Sequence, residues 1–246
     1  MDWGSVGGIS LALVGILVAY GISGGQVASL AQPEAFFIVV LGTAGAVITQ
    51  TDISILRSGV QMLRWLVTPP PDERKRLMHD FVQWSQNVRR EGLLSLESHM
   101  NASKDPFVKK GLRMIIDGIE VNHLREIMES EIDAYEMHGR AAVKIWESAG
   151  GYSPTIGILG AVLGLIRVMQ HLSDPTKLGG GIAVAFVATV YGVGLANLVY
   201  LPVGHRLRSI INRQVRQREL VLEGLLAISQ GDHPRVIEDR LAAYVE

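Results

Sequence analysis

Residues 148–166 read SAGGYSPTIGILGAVLGLI and carry no charged side chain. A helix needs about 20 apolar residues to cross the hydrocarbon core of a bilayer, so this stretch is long enough to span a membrane. Residues 178–204 form a second uncharged stretch, and residues 3–33 and 35–51 form an earlier pair. The sequence therefore predicts an all-α, polytopic membrane protein with four transmembrane helices and a helical domain inserted between the second and the third.

Composition limits the classes of function that are open to the chain. It has 23 basic and 24 acidic residues, and a net charge of -1 gives no bias towards nucleic acid. It has no cysteine, which excludes disulfides, thiolate catalysis and cysteine-ligated metals. The N-terminal Met1-Asp2-Trp3 lacks the positive region of a signal peptide, so we expect the first apolar helix to be retained as an anchor.

Basic residues in the connections predict the orientation, because cytoplasmic loops of membrane proteins are enriched in Lys and Arg. Residues 22–34 contain none and residues 167–177 contain two, whereas residues 52–147 contain fourteen and residues 205–246 contain seven. Both termini are thus expected in the cytoplasm. The predicted division is transmembrane helices 1 and 2 in 1–51, a cytoplasmic helical domain in 52–147, transmembrane helices 3 and 4 in 148–204, and a cytoplasmic C-terminal helix in 205–246.

Local signals predict where the helices begin. Pro33 suits the first position of a helix, where its missing N–H costs no hydrogen bond. Asp72, after three prolines, can cap a helix that runs to about Arg90, and Asp105-Pro106 starts another. Leu93, Leu94 and Leu96 indicate a short helix between these two. A last helix of the insertion, from about residue 121, is expected to continue into the third span.

The third and fourth spans carry small residues four apart, which let helix backbones approach closely in lipid. They are Gly160 and Gly164 in one span, and Ala188, Gly192 and Ala196 in the other. Pro154 and Pro202 introduce either static kinks or functional hinges, and the residues alone do not separate these readings. Thr189 either bonds to its own helix or lines a pore. Asn197 is expected to bond between helices.

The interior of each span lacks any Asp, Glu, Lys, Arg or His. An ion pathway normally contains an ionisable group within the membrane, so either no ion crosses or another chain supplies the acid. The seven histidines show no metal-binding spacing, and Gly179-Gly180-Gly181 lacks the Lys-Ser/Thr of a phosphate-binding loop. We therefore expect no enzymatic activity, no cofactor and no metal site.

Four ordered motifs resemble the flagellar motor stator A subunit, the MotA/PomA family of the MotA/TolQ/ExbB superfamily. They are residues 41–46 (LGTAGA), residues 89–97 (RREGLLSLE), residues 154–164 (PTIGILGAVLG), and the set Ala185-Phe186, Ala188-Thr189, Gly192 and Pro202. The resemblance covers essentially the full length. It implies a bacterial inner-membrane protein that forms a homopentameric ring around two copies of a single-span B subunit.

In that family the B subunit carries the ion-binding aspartate and a peptidoglycan-binding domain, and ion flow drives flagellar rotation and motility. Carried over by position, Arg89 or Arg90 together with Glu97 would contact the switch-complex protein of the rotor. Pro154 and Pro202 would be the functional prolines, and Thr189 the pore-lining threonine. Membrane lipid is the remaining expected partner, and no nucleic acid is expected.

Ala161 predicts the transported ion. Sodium-driven relatives resemble this chain but have threonine at this position. A dehydrating sodium ion needs several oxygen ligands, whereas a proton needs only a carboxylate and water. Since Ala161 removes one hydroxyl per subunit, we expect a proton-driven stator.

Two other functions are alternatives to that of a flagellar stator. A TolQ/ExbB-like energiser of an outer-membrane system would have one span before the large loop, whereas this chain has two. A membrane scaffold without transport would explain the absence of an interior acid, but it would not explain the ordered motifs.

Overall fold

The fold is known from a computed structural model that describes the backbone of residues 3–245 and the side chains of all of these except 3–6, 9 and 175–177. Throughout this range the regular structure is helical and no strand occurs, which confirms the predicted all-α class. The α-helices are α1 (Trp3–Ile22), α2 (Pro33–Gln50), α3 (Ile53–Gln61), α4 (Arg64–Val67), α5 (Arg74–Glu91), α6 (Leu96–Ala102), α7 (Pro106–Ile116), α8 (Val121–Gln170), α9 (Pro175–Leu195), α10 (Leu201–Ser229) and α11 (Pro234–Ala242). Short 3₁₀ turns lie at Val27–Leu30 and Leu93–Ser95, and a π-helical turn lies at Ala196–Tyr200.

The chain divides into two compact units. We call residues 3–69 and 140–208 the apolar unit, and residues 70–139 and 209–245 the charged unit. Two helices, α8 and α10, pass through both units, so neither unit is a continuous segment of the chain.

Within the described residues, three helices are long and apolar enough to cross a membrane. They are Pro33–Gln50, Val121–Gln170 and Leu178–Ser229. The first predicted span, in α1, contains a shorter apolar stretch at Ser10–Ile22. These helices are those of a membrane protein, and a fourth span in α1 stays a prediction.

The local start signals match the structure in two cases and shift in a third. Pro33 is the first residue of α2. The Asp105 carboxylate accepts a hydrogen bond from the Phe107 N–H at 2.9 Å, so it caps α7 as predicted. Asp72 was expected to cap α5; Glu73 directly precedes the helix, but the Asp72 carboxylate accepts a hydrogen bond from the Arg74 N–H, the first of α5, at 3.3 Å. Asp72 also binds the guanidinium of Arg74 at 2.9 and 2.7 Å, and these hydrogen bonds hold the pKa of the Asp72 carboxyl below its usual value.

One face of α2 supplies much of the core of the apolar unit. This face consists of Ala35, Val39, Thr43 and Val47, which recur every four residues and are all buried. Ala35 and Val39 pack against Val184, Val187 and Ala188 of α9, whereas Val47 packs against Ile145 and Ala149 of α8. The opposite side of α2 exposes Phe36, Phe37, Leu41 and Ile48. Exposed side chains of this kind suit lipid or another protein chain.

The helices α8 and α9 approach each other so closely that side chains are excluded from the seam between them. A Cβ atom on Gly157 would lie 2.8 Å from the Ala188 carbonyl oxygen and 3.0 Å from the Gly192 Cα. A Cβ atom on Gly192 would lie 2.6 Å from the Ser153 carbonyl oxygen. Backbone contact of this kind is how helices associate in lipid, where the hydrophobic effect does not drive them together.

The charged unit has its own core, in which glycines again accept large neighbours. A Cβ atom on Gly224 of α10 would lie 2.6 Å from the ring of the buried Phe81 of α5. A Cβ atom on Gly111 of α7 would overlap a methyl group of Leu225. Arg218 lies over the Tyr135 ring, with 4.0 Å between its guanidinium carbon and the ring centroid, and burial raises the pKa of Tyr135.

Replacing Gly157 by alanine should destabilise the apolar unit by about 1–3 kcal/mol, because the added methyl group would overlap the backbone of α9. The free energy of unfolding in mixed detergent micelles would measure the effect. Gly151→Ala is the matched control, since it lies in the same helix and nothing comes within 4 Å of its added Cβ. Equal stability of the two variants would show that the seam does not require glycine.

Candidate functional site

The four residues predicted to line an ion pathway lie in the apolar unit, and all four are half-buried. Pro154 and Ala161 lie on α8, Thr189 on α9, and Pro202 near the start of α10. Because Gly160 and Ala188 meet in the seam, their chain neighbours Ala161 and Thr189 lie at the same level. The structure thus brings these two residues together, as members of adjacent antiparallel helices.

Pro154 and Pro202 lie on the same two helical runs, further than Ala161 and Thr189 from the turn that joins α8 to α9. Pro154 follows Ser153, whose carbonyl oxygen contacts the position of Gly192. Leu201, next to Pro202, packs on Gly150, where an added Cβ would lie 2.5 Å from a Leu201 methyl group. The four residues are therefore chain neighbours of residues that make close contacts between the α8 and α9–α10 runs.

Pro154 does not interrupt α8, which continues from Val121 to Gln170 as the sequence predicts. A proline inside a helix donates no hydrogen bond to the carbonyl four residues earlier, here that of Gly150. The following residue, Thr155, is exposed and donates its hydroxyl to the Tyr152 carbonyl at 2.8 Å. Backbone carbonyls thus add to the hydroxyls of Ser153 and Thr155 as polar groups near Pro154.

Pro202 lies directly after a π-helical turn. The Leu201 N–H bonds to the Ala196 carbonyl, which is five residues back instead of four. Such turns accommodate an extra residue and often occur at functional positions in helices. The sequence predicted a bend at Pro202, but it did not predict this change in helical register.

The two polar side chains of this run both bond to their own helix. The Thr189 hydroxyl donates to the Ala185 carbonyl at 3.4 Å, which matches the first of its two readings. Asn197 was expected to bond between helices, and this was wrong. Its amide donates to the Val193 carbonyl at 2.9 Å, and its side chain is exposed. A carbonyl one turn back is the nearest acceptor for a short polar side chain on a helix.

Two hydroxyl groups that the sequence reasoning missed lie deep in the apolar unit. Thr43 on α2 is 1% exposed and Ser153 on α8 is fully buried, and neither hydroxyl oxygen has a hydrogen-bond partner within the described residues. A buried hydroxyl without a partner loses its hydration without compensation. The sequence signal for Thr43 was its place in the buried series with Ala35, Val39 and Val47.

Two ion pairs of the apolar unit join different helices. Arg167 at the end of α8 pairs with Glu34 at the start of α2, at 2.6 Å. Glu147 pairs with Arg208 at 2.8 Å. No cluster of three or more His, Asp or Glu that could hold a metal ion occurs in the described part of the chain.

The predicted partner-contact charges lie in the charged unit, around the turn that joins α5 to α6. Arg89 and Arg90 occupy the last turn of α5, and Glu97 occupies the first turn of α6. All three side chains are exposed, and none has an ion-pair partner among the residues that the structure describes. They are therefore available to charges on another molecule.

Two leucines lie between these charges, in a 3₁₀ turn where a short helix was expected. Leu96 is buried, but Leu94 is 69% exposed and Leu93 is 39% exposed. Residues 93–95 form a 3₁₀ turn, which directs Leu93 and Leu94 outward. Exposed apolar side chains surrounded by charges are typical of protein interfaces, where an apolar centre has a polar rim.

Comparison with known proteins adds to this geometry. Residues 99–220 match the MotA/TolQ/ExbB proton channel family. The chain is 36% identical to motility protein A of Bacillus subtilis (strain 168), over 100% of this chain and 91% of that protein. Its fold matches the structure of C. jejuni MotAB with a TM-score of 0.94 at 28% identity, covering 100% of this chain and 96% of that one. It also matches the flagellar MotAB stator complex from Bacillus subtilis with a TM-score of 0.89 at 35% identity, covering 98% and 95%.

Gly92 controls how α5 and α6 present these charges. Its backbone has φ 82° and ψ 176°, a region that is essentially restricted to glycine. Gly92→Ala should lower the free energy of unfolding by about 1–3 kcal/mol and reorient the turn that separates Arg90 from Glu97. Thermal unfolding of the full-length protein checks the first effect. Glu91→Ala, an exposed helical neighbour, is the control, and an equal midpoint for both variants would contradict the assignment.

Proposed function

The chain belongs to the MotA/TolQ/ExbB proton channel family, and from that membership we propose that it is the A subunit of a flagellar stator. The observation that carries this is similarity over the whole chain to motility protein A and to the A chains of MotAB stator structures. A TolQ/ExbB-like energiser is not favoured, because the match includes the apolar helices that precede the charged insertion. The proposed activity is that of an ion-driven motor and channel subunit, not of an enzyme.

The partner follows from what the spans lack. The apolar stretches contain no interior acid, so this chain alone has no carboxylate with which to bind a permeating proton. We infer that a B-type subunit with one transmembrane helix supplies an aspartate, and that its peptidoglycan-binding domain fixes the complex to the cell wall. The A chains form a ring, as a pentamer around two B helices.

The excess of basic residues in 52–147 and 205–246 supports a placement in the inner membrane with both termini in the cytoplasm. The charged unit would then lie in the cytoplasm, where it can reach the rotor. The helix-end pair of Glu34 and Arg167 would lie on the opposite side of the membrane, since α2 begins and α8 ends there.

We assign Ala161, Thr189, Pro154 and Pro202 to the ion pathway, at the surface of the A chain that faces the B helix. Their half-burial and their alignment along one seam support this assignment. In a ring these positions would form successive levels of one surface. Carbonyls freed by the two prolines would supply oxygens where the side chains supply almost none.

The transported ion is proposed to be a proton. Among the aligned positions, Thr189 offers one hydroxyl oxygen per subunit, which donates its proton to the Ala185 carbonyl, and Ala161 offers no oxygen. Sodium needs several oxygen ligands in place of its hydration shell, whereas a proton can pass through water to a carboxylate on the partner.

Cells whose sole stator contains this chain should swim at full speed in sodium-free medium and stop when a protonophore is added. Tethered-cell rotation measures both responses. Rotation that stops without sodium and survives the protonophore would overturn the proton assignment.

A pair of variants at one position separates the effect of a hydroxyl from that of volume. Ala161→Thr adds one hydroxyl per subunit, and Ala161→Val adds the same bulk without it. We expect both to slow rotation, and only the threonine variant to gain sensitivity to sodium. Identical sodium responses would show that position 161 does not contribute to ion choice.

For torque, we propose that Arg89 or Arg90 and Glu97 engage opposite charges on the switch-complex protein, with Leu94 as the apolar centre of the contact. Exposed ion pairs contribute little each, about 0.2–1 kcal/mol, so several must act together. The apolar side chain between them would strengthen the contact by excluding water from it.

Reversing the charges one at a time and in combination tests this contact. Arg89→Glu, Arg90→Glu and Glu97→Arg should each reduce swimming speed, and Leu94→Gln should reduce it as well. A complementary reversal on the rotor protein should restore motility to the matching variant.

Membrane assembly is checked in each case, and Arg235→Glu, an exposed arginine of α11, is the control. Normal swimming in every single and combined reversal would remove the rotor role from these residues. That result would leave the membership of the family untouched.

A further inference from the structure

Residues 53–67 form a two-sided segment at the point where the chain leaves the second apolar helix. α3 begins at Ile53, three residues after α2 ends at Gln50, and α4 ends at Val67, just before the three prolines. One side of the segment is fixed to α8. The Gly59 carbonyl accepts a hydrogen bond from the Trp146 indole at 3.0 Å. A Cβ atom on Gly59 would lie 2.8 Å from the Ala142 carbonyl oxygen, so the two helices touch through their backbones.

The other side of the segment has no partner in the described chain. Ile53, Arg57 and Val60 lie on one face of α3, and Arg64 and Val67 lie on one face of α4, and all five are exposed. We call these five residues the outer stripe. Its aliphatic members are more than half exposed, at 81%, 53% and 58%. Three large apolar side chains in one line are not a scattered surface pattern.

The charges of the outer stripe have one sign. Neither Arg57 nor Arg64 has an ion-pair partner among the residues that the structure describes. The sole acid between residues 51 and 68 is Asp52, which precedes α3 and lies outside the stripe. Arginines that alternate with aliphatic residues along a helix are typical of helices that lie in the interface of a membrane. Their long side chains can bury the methylene groups and place the guanidinium at the headgroups.

Aromatic residues near the segment indicate that it lies at a membrane interface. The Tyr152 hydroxyl, near the start of the uncharged stretch of α8, donates to the Gln50 side chain at the end of α2, at 2.9 Å. Trp146 and Tyr200 lie with their ring centroids 6.4 Å apart. Trp and Tyr are enriched where membrane helices meet the headgroups. The outer stripe is tied to this level through Gly59 and Trp146.

We propose that the outer stripe binds acidic phospholipid, with Ile53, Val60 and Val67 inserted at the acyl boundary and with Arg57 and Arg64 bound to headgroup phosphates. A second copy of this chain is the less suitable occupant, since it would need acids opposite both arginines. The lipid leaflet supplies both the apolar layer and the negative charge in one surface. This inference requires only that the chain is a membrane protein.

The depth of single positions tests the first part. Since the chain has no cysteine, a nitroxide can be attached to one introduced cysteine in the full complex reconstituted into vesicles. Val60→Cys and Ile53→Cys should favour collisions with oxygen, which concentrates in lipid. Gln61→Cys and Ser54→Cys, exposed neighbours off the stripe, should favour collisions with a water-soluble nickel chelate.

The headgroup preference tests the second part. Complexes are reconstituted in phosphatidylcholine with about 30% phosphatidylglycerol, and the bound lipids are counted by native mass spectrometry. Arg57→Gln with Arg64→Gln should reduce the enrichment of phosphatidylglycerol by about fivefold for each arginine removed. Arg235→Gln, in the charged unit, is the matched control, and gel filtration checks that every variant assembles.

Three results would overturn the proposal. Nickel collisions at Val60→Cys equal to those at Gln61→Cys would show that the stripe faces water. Shielding from both reagents, with spin–spin broadening that vanishes on dilution with unlabelled subunits, would show that a second copy covers it. Unchanged phosphatidylglycerol enrichment in the double arginine variant would remove the headgroup role.

Discussion

Backbone contact between α8 and α9 is the constraint on which the rest of the apolar unit depends. At Gly157 and Gly192 the two helices approach so closely that a Cβ atom on either residue would overlap the other backbone. In lipid such contact supplies dispersion attraction that lipid chains do not match, because no hydrophobic driving force is left between the helices. It also fixes the levels of the neighbouring residues, so that Ala161 and Thr189 cannot separate without loss of the seam.

The two prolines act within this constraint in different ways. α8 stays continuous through Pro154. At Pro202 the helical run changes register instead, and the Leu201 N–H reaches the Ala196 carbonyl five residues back. Both devices leave backbone oxygens without their ordinary partners inside an apolar stretch. An apolar chain that guides an ion can thereby offer oxygens without placing a charge in the membrane.

Sequence reasoning succeeded where a local chemical rule decides the outcome. Proline at Pro33, the Asp105 cap and the small residues of the seam each follow from the backbone geometry that those residue types favour. It failed where neighbours compete for one group. Asn197 bonds to the Val193 carbonyl of its own helix and not to another helix, and Leu93 and Leu94, expected in a short helix, lie in an exposed 3₁₀ turn. Such choices depend on distances between elements, which a single sequence does not contain.

The unpartnered hydroxyls of Thr43 and Ser153 bear on how an apolar subunit serves an ion-driven machine. A helical hydroxyl ordinarily bonds one turn back, as Thr189 does with Ala185. Thr43 and Ser153 do not, although both are buried. The free energy lost by leaving them unpaired is recovered only if something else bonds to them, such as water or a neighbouring chain. In an isolated subunit these two buried hydroxyls therefore have no hydrogen-bond partner among the described residues. The same chain lacks an interior acid, so alone it completes neither the hydrogen bonding of these hydroxyls nor an ion site.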